Sequence, residues 1–230
     1  MTYWRQREGE RLVNKNEALV FLRHHCITAV VRAETNCDAF LHVVDAVIEG
    51  GVRCLEVTLT TPDALRCLEM ASEHLKGTEA LLGASAVVDG QICRMAVLSG
   101  AQYIVTPIAT PEVIAVTQRC GVPIMCGAYT PTEVFHAWQS GADMVKVFPA
   151  SLGGPEYIEV LQEPFPQVPL VPGGGVKLNN VAAYLRAGAA ALAVGANLAG
   201  KRAVESKDYT AITSNAHAFA HAVARFRQEE

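Results

Sequence analysis

The chain has 230 residues, enough for one α/β barrel or one large α/β domain and too few for two barrels. Half of the residues are hydrophobic and 18% are charged, a balance that suits a fully buried parallel sheet with a substantial core. The formal net charge of −4 leaves no basic surplus, which argues against a nucleic-acid partner.

The first 25 residues carry charges every few positions and hold no apolar stretch of signal-peptide length. No later run approaches the roughly 18 apolar residues of a membrane span, so a cytoplasmic chain without membrane contact is expected. The seven cysteines (Cys26, Cys37, Cys54, Cys67, Cys93, Cys120 and Cys126) are odd in number and form no CxxC or CxxH pair. Most lie in apolar or helical contexts, so reduced thiols packed as small hydrophobes are expected.

In chain order, an extra helix is predicted near 14–24, then a strand at 27–33 and a helix at 37–49. A unit then recurs: an amphipathic helix, a glycine and a short apolar strand. Gly51 precedes VRCLEVTL, Gly77 precedes TEALLGAS, Gly100 precedes AQYIVTP and Gly121 precedes VPIMCGA. Gly141 precedes ADMVKVFP and Gly188 precedes AAALAVG. The steps from 51 to 77, 100, 121 and 141 are 26, 23, 21 and 20 residues. From 141 to 188 is 47 residues, two units, with the intervening strand at 168–174. Such a period is what one strand, one helix and two tight loops occupy. Each glycine reads as a left-handed helix stop that turns the chain back to the sheet. The strands are continuous apolar runs, as strands covered on both faces should be.

With 27–33 the count is eight, and the last helix is predicted at about 208–227. The expected fold is a single (β/α)₈ TIM barrel over 1–230, with 1–26 as an N-terminal helical extension. The competing doubly wound open sheet would more usually show a glycine-rich first turn. The first strand is instead followed by RAETNCD, with no GxGxxG.

In such a barrel the chemistry lies at the C-terminal ends of the strands. The polar residues there include Arg32, then Glu56 with Thr58 and Thr60 on one face, then Ser85, Thr106, Tyr129 and Thr130. Lys146 lies in Met144-Val145-Lys146-Val147-Phe148, apolar on both sides. A lysine so placed must find a carboxylate, bind an anion or lose its charge, and a neutral amine is a nucleophile toward carbonyls. Glu56 is the second charge in an apolar strand, and strands 2 and 6 face each other across an eight-stranded barrel. It can act as the proton relay, or merely as the structural partner of the lysine. The turns Gly173-Gly174-Gly175 and Gly195-Ala196-Asn197 follow strands 7 and 8, where bare backbone N–H groups usually cradle phosphate. Arg32 can hold a phosphate or a carboxylate through its planar fork. The seven histidines fall on helices or in the N-terminal segment without metal-site spacing, so neither metal nor cofactor is expected.

The segments GGVRCLEVTLTTPDAL, GAQYIVTP, GAYTPTEV, GADMVKVFPAS and LVPGGGVKLNN resemble the 2-keto-3-deoxy-6-phosphogluconate (KDPG) and 4-hydroxy-2-oxoglutarate aldolase family, in order over about 27–200. The resemblance implies a homotrimeric class I aldolase without a metal, acting on a small, phosphorylated 2-keto acid. Lys146 would form a Schiff base with the pyruvyl half, and Glu56 would be the general acid and base. Cleavage would give pyruvate and an aldehyde such as glyceraldehyde 3-phosphate. Substrate contacts are implied for Arg32, Thr60, Ser85, Thr106, Pro107, Phe148, Gly173, Gly174, Gly175, Gly195 and Ala196.

Some positions depart from the family pattern. Ser85-Ala86 stands where many members have Gly-Thr, Thr60 where some have Arg, and Cys126-Gly127 where Pro-Gly is usual. Gly173 stands where Thr is usual and Ala196 where Ser is frequent, which thins the expected anion contacts. A Gly173→Thr change is accordingly expected to strengthen a preference for phosphate. Alternatives on the same lysine chemistry are 4-hydroxy-2-oxoglutarate cleavage and oxaloacetate decarboxylation. A barrel that binds a phosphorylated ligand without turnover is the alternative outside catalysis.

Overall fold

A computed structural model describes residues 14–32 and 36–229. Helix α1 (Lys15–His25) is followed by strand β1 (Ile27–Val31) and helix α2 (Cys37–Glu49). The units β2 (Cys54–Thr58) with α3 (Ala64–His74) and β3 (Leu81–Ser85) with α4 (Gly90–Leu98) come next. They are followed by β4 (Tyr103–Thr106) with α5 (Pro111–Cys120) and β5 (Ile124–Ala128) with α6 (Pro131–Gln139). The last units are β6 (Met144–Val147) with α7 (Gly154–Gln162), β7 (Leu170–Pro172) with α8 (Val181–Arg186), and β8 (Leu192–Val194). Short α9 (Lys201–Glu205) and long α10 (Tyr209–Glu229) complete the chain's described part.

All eight strands are parallel, in the order β7-β6-β5-β4-β3-β2-β1-β8, and a bridge between Gly173 and Ala193 brings the two ends together. The nearly closed ring of alternating strands and helices is the TIM barrel that the repeat predicts. The six repeat glycines, Gly51, Gly77, Gly100, Gly121, Gly141 and Gly188, all take positive φ, between 69° and 104°. That backbone is open to glycine at little cost and strained for other residues, which explains the recurrence.

Strand alternation sorts the apolar residues into two cores. Residues such as Leu55, Val57, Ile104, Val145 and Leu192 point outward and pack under the helices with Phe40, Val44, Leu68 and Phe219. Cys54, Leu81, Tyr103, Val105, Met125, Met144, Val171 and Ala193 fill the barrel interior. Ala18 and Leu22 of α1 join this inner group, so α1 plugs the N-terminal end of the barrel. Lys15 fastens that plug to Asp143, just before β6, at 2.7 Å. The helix itself starts at a capping box, in which Asn14 accepts from Glu17 N–H and Glu17 accepts from Asn14 N–H. The bottom is therefore sealed, and access to the interior is from the strand C-termini. Among the described residues no helix is long and apolar enough to cross a membrane.

The cysteine expectation needs one correction. Cys37 and Cys67 form a disulfide, with Cα atoms 4.8 Å apart, while Cys26, Cys54, Cys93, Cys120 and Cys126 are free. The partners are 30 positions apart in sequence, but Cys37 opens α2 and Cys67 lies in the first turn of α3, on adjacent units. Only the barrel's side-by-side helices create this pairing, so no local spacing reveals it.

Candidate active site

Lys146 and Glu56 meet inside the barrel. On β6, Met144 and Lys146 face inward while Val145 and Val147 face the helix layer; on β2, Cys54, Glu56 and Thr58 face inward. Lys146 Nζ lies 3.3 Å from Glu56 Oε2. The lysine side chain is 12% exposed and the glutamate is fully enclosed, so what exposure the pair has belongs to the lysine. An enclosed carboxylate needs partners for both oxygens. Thr28 on β1 donates its hydroxyl to Oε1 at 2.7 Å, which leaves Oε2 to the lysine.

Small residues make room for this pair. Lys146 is in register with Gly127 on β5 and Val171 on β7. A Cβ added at Gly173 would lie 2.8 Å from Lys146 Cε and 3.2 Å from Ala193 Cβ. Glu56 is in register with Val30 and Gly83, and the space beside Gly83 is filled by the Tyr103 ring. Burial, and then the charge of Glu56, hold the Tyr103 hydroxyl well above its ordinary range. It stays protonated and donates to the Leu55 carbonyl at 2.9 Å, beneath the pair.

Farther up, the Thr58 and Ser85 hydroxyls are 3.2 Å apart, both buried, and Thr58 and Ser85 are in register. Thr58 lies two residues beyond Glu56 on the same face, or about 6.6 Å along the strand. Arg32 is exposed just past β1, on the inward alternation of Thr28 and Val30, and Thr60 is exposed in the turn after β2. Phe148 is 52% exposed just beyond Lys146, and its ring packs against Gly174, where a Cβ would approach within 2.7 Å. Gly173 is buried and donates its N–H to Val147, whereas Gly174 and Gly175 take positive φ at the rim. Gly195 is half-buried and Ala196 exposed. Asn197 donates its amide to the Val176 carbonyl at 2.8 Å and thereby locks the two glycine turns together.

The geometry bears on two expectations. The Thr106 side chain lies on the outer alternation of β4 with Ile104, in register with Cys126, and does not enter the interior. Its neighbour Pro107 is exposed at the rim, where its carbonyl packs over Gly127. A threonine at 173 would not simply add a phosphate contact, because its Cβ would first displace the Lys146 stem.

Thr28 was not singled out in the sequence, although it shares the inward parity of Arg32 within 27–33. A groove of about 580 Å³ lined by His42, Asp45, Glu49, Tyr209 and His217 lies between α2 and α10, on the outer helix layer. It has no part in the lysine pair. Among the described residues no group of three or more His, Cys, Asp or Glu is placed to hold a metal ion.

An amine and a carboxylate are paired inside a (β/α)₈ barrel, and the family that this barrel belongs to makes the chain an aldehyde-lyase. It belongs to the KDPG and KHG aldolase family, whose family model matches residues 20–215. The 2-dehydro-3-deoxy-phosphogluconate aldolase of Treponema pallidum is 38% identical over 160 residues, covering 69% of this chain and 75% of that protein. The 2-dehydro-3-deoxy-6-phosphogalactonate aldolase of Escherichia coli is 34% identical over 186 residues, 80% of this chain and 89% of that one. Among solved structures, a KDPG aldolase from Legionella pneumophila, with pyruvate captured as a covalent carbinolamine, superposes with a TM-score of 0.80 at 26% identity. That match covers 87% of this chain and 97% of the other. The class I aldolase reading of the sequence stands with these relatives.

Proposed function

We propose that Lys146 is the imine-forming residue, and that the substrate is 2-keto-3-deoxy-6-phosphogluconate or a closely related 2-keto acid. The observation that carries this reading is the 3.3 Å contact between Lys146 and the enclosed Glu56. Lys146 passes a proton to Glu56 Oε2, and the neutral amine attacks the keto carbon to give a carbinolamine. Protonated Glu56 returns the proton to the carbinolamine hydroxyl, which leaves as water and yields the iminium. Glu56, again a carboxylate, removes the proton of the C4 hydroxyl. The C3–C4 bond breaks, its electrons flow to the iminium nitrogen, and the aldehyde departs. Glu56 then protonates the enamine at C3, and water hydrolyses the resulting imine to pyruvate and the free amine. The hydroxyl of Thr28 keeps one carboxylate oxygen engaged throughout, so Oε2 remains the proton-transferring atom.

Arg32, Thr60, Ser85, Pro107 and Phe148 form the rim that orients the acid, and the turns with Gly174, Gly175 and Gly195 take the phosphate. The relatives named for gluconate and for galactonate derivatives support the phosphorylated sugar-acid class without separating its stereoisomers. Gly173 and Ala196 supply no hydroxyl, which favours 4-hydroxy-2-oxoglutarate or oxaloacetate as second substrates on the same amine. We read the chain as a cytoplasmic homotrimer. Val88, Ile108, Phe148 and Leu152 are 52–73% exposed in strand-to-helix connections at the Lys146 end, and supply apolar surface for self-association. Light scattering of the purified chain tests the trimer.

The deciding experiment for the chemistry is borohydride reduction with pyruvate present. A lactyl-type mass on the peptide holding Lys146 is expected, with pyruvate release from a panel of 2-keto acids in parallel. Labelling of another lysine, or sustained turnover by Lys146→Arg, would overturn the assignment, because guanidinium stays charged and cannot attack a carbonyl.

A further inference from the structure

We propose that Cys37 and Cys67 are a reversible thiol–disulfide site, acted on by a small disulfide such as oxidised glutathione, whose bond tightens the mouth of the barrel around the substrate. The bond joins the first residue of α2 to the first turn of α3, at the end of the barrel where β1 and β2 deliver Arg32, Thr58 and Thr60. The covalent ring that it closes contains the whole of β2, and with it Glu56.

Three observations make this pair a site of exchange as well as a staple. The chain leaves five other cysteines without a disulfide partner, and burial is the main force that raises the thiols of Cys26, Cys54, Cys93 and Cys126. On the reading of the chain as cytoplasmic, a bond of this kind is usually transient, because that compartment keeps thiols reduced. Cys37 directly follows the N-cap Asn36, whose side chain accepts from Ala39 N–H, so its sulfur lies at the start of α2 on the mouth side of the barrel. Finally, α2 and α3 stay packed without the bond, through the enclosed Phe40, Val44, Leu68 and Ala71. Reduction therefore loosens the helix starts and leaves the barrel intact.

The step balances. The Cys37 thiolate, 9% exposed where Cys67 is enclosed, attacks one sulfur of the small disulfide and expels one thiolate. Cys67, deprotonated, attacks the Cys37 sulfur and expels the second. The protein dithiol loses two electrons and two protons, and the small disulfide becomes two thiols. An excess of small thiol reverses the sequence.

The consequence for binding rests on the reading of Lys146 above; reversibility and loosening do not. The native chain is equilibrated across ratios of reduced to oxidised glutathione, alkylated with iodoacetamide and mapped by mass spectrometry. Amide hydrogen exchange of 54–63 and borohydride trapping of pyruvate are followed in the same samples. The pair should titrate fully between free and bridged, exchange over 54–63 should be faster in the reduced form, and half-saturating pyruvate should be about fivefold higher there. Cys37→Ser should show the reduced behaviour at every ratio. A pair that stays bridged in excess thiol, or free in excess oxidised glutathione, overturns the proposal, as does titration with exchange and trapping unchanged. Absence of trapping in both forms would instead overturn the Lys146 reading, and hydrogen exchange would still decide this one.

Discussion

Thr28 and Glu56 are joined between β1 and β2 by a 2.7 Å hydrogen bond enclosed from solvent. It satisfies the carboxylate oxygen that does not face Lys146 and leaves Oε2 to the amine.

Thr28→Val keeps the shape and removes that donor. Leaving a buried acceptor unpaired costs about 1–3 kcal/mol, which lowers the melting temperature by about 2–12 °C in a chain of this size. Turnover should fall by about tenfold with the Michaelis constant little changed, since Glu56 can then rotate away from the amine. Thr28→Ser, which restores the hydroxyl, should recover turnover. A variant that melts lower and turns over normally would show that Thr28 serves only the fold.

Glu56→Gln removes the base while keeping the volume, and should lower turnover by about 10²–10⁴-fold. Loss of deuterium exchange into the methyl group of pyruvate is the sharper measurement, because it reads protonation at C3 apart from bond cleavage. Near-normal exchange in the variant would assign the proton transfers elsewhere.

Stability should also fall in alkali, for a reason unconnected with catalysis. Burial pushes the Cys126 thiol up from 9.0 to about 11. Below pH 9 it is neutral in the folded and unfolded chain, and its full contribution is present. Between pH 9 and about 11 the unfolded chain ionises first, so that contribution is lost as pH rises. Melting temperatures compared at pH 8 and pH 10.5 should show a smaller alkaline decline in Cys126→Ala than in the parent. Equal declines would remove Cys126 from the cause.

Much of the fold is legible because glycine, the apolar strand and the helix recur at one period, and each glycine occupies a backbone that other residues resist. Lys146 and Glu56 are legible for a related reason: a charge in a strand apolar on both sides demands an explanation. What escaped is what depends on closure of the ring. Thr28 is an ordinary strand residue until β1 lies beside β2. Thr106 is a different case, since alternation with Tyr103 and Val105 turns its side chain outward without any need for closure. Cys37 and Cys67 become neighbours only when two helices pack side by side.

The same closure changes what Gly173 means for phosphate. The turns keep Gly174, Gly175 and Gly195, so backbone donors can still serve an anion, but Gly173 and Ala196 offer no hydroxyl. Each missing hydrogen bond to a charged oxygen is worth roughly 1.5–3 kcal/mol. A phosphorylated substrate should therefore be preferred over its unphosphorylated analogue through the Michaelis constant, by less than in a relative with both hydroxyls. Gly173→Ala separates this from the lysine. Its Cβ would lie 2.8 Å from Lys146 Cε, so the stem must shift and the amine with it. Displacement of about 1 Å can lower turnover by up to about 10²-fold. The loss should be equal for both substrates, leaving the phosphate preference as it was. The measurement is kcat and KM for the substrate pair on parent and variant. Unchanged turnover in Gly173→Ala would mean that the lysine stem has slack at this position, and a changed preference would return Gly173 to the phosphate site.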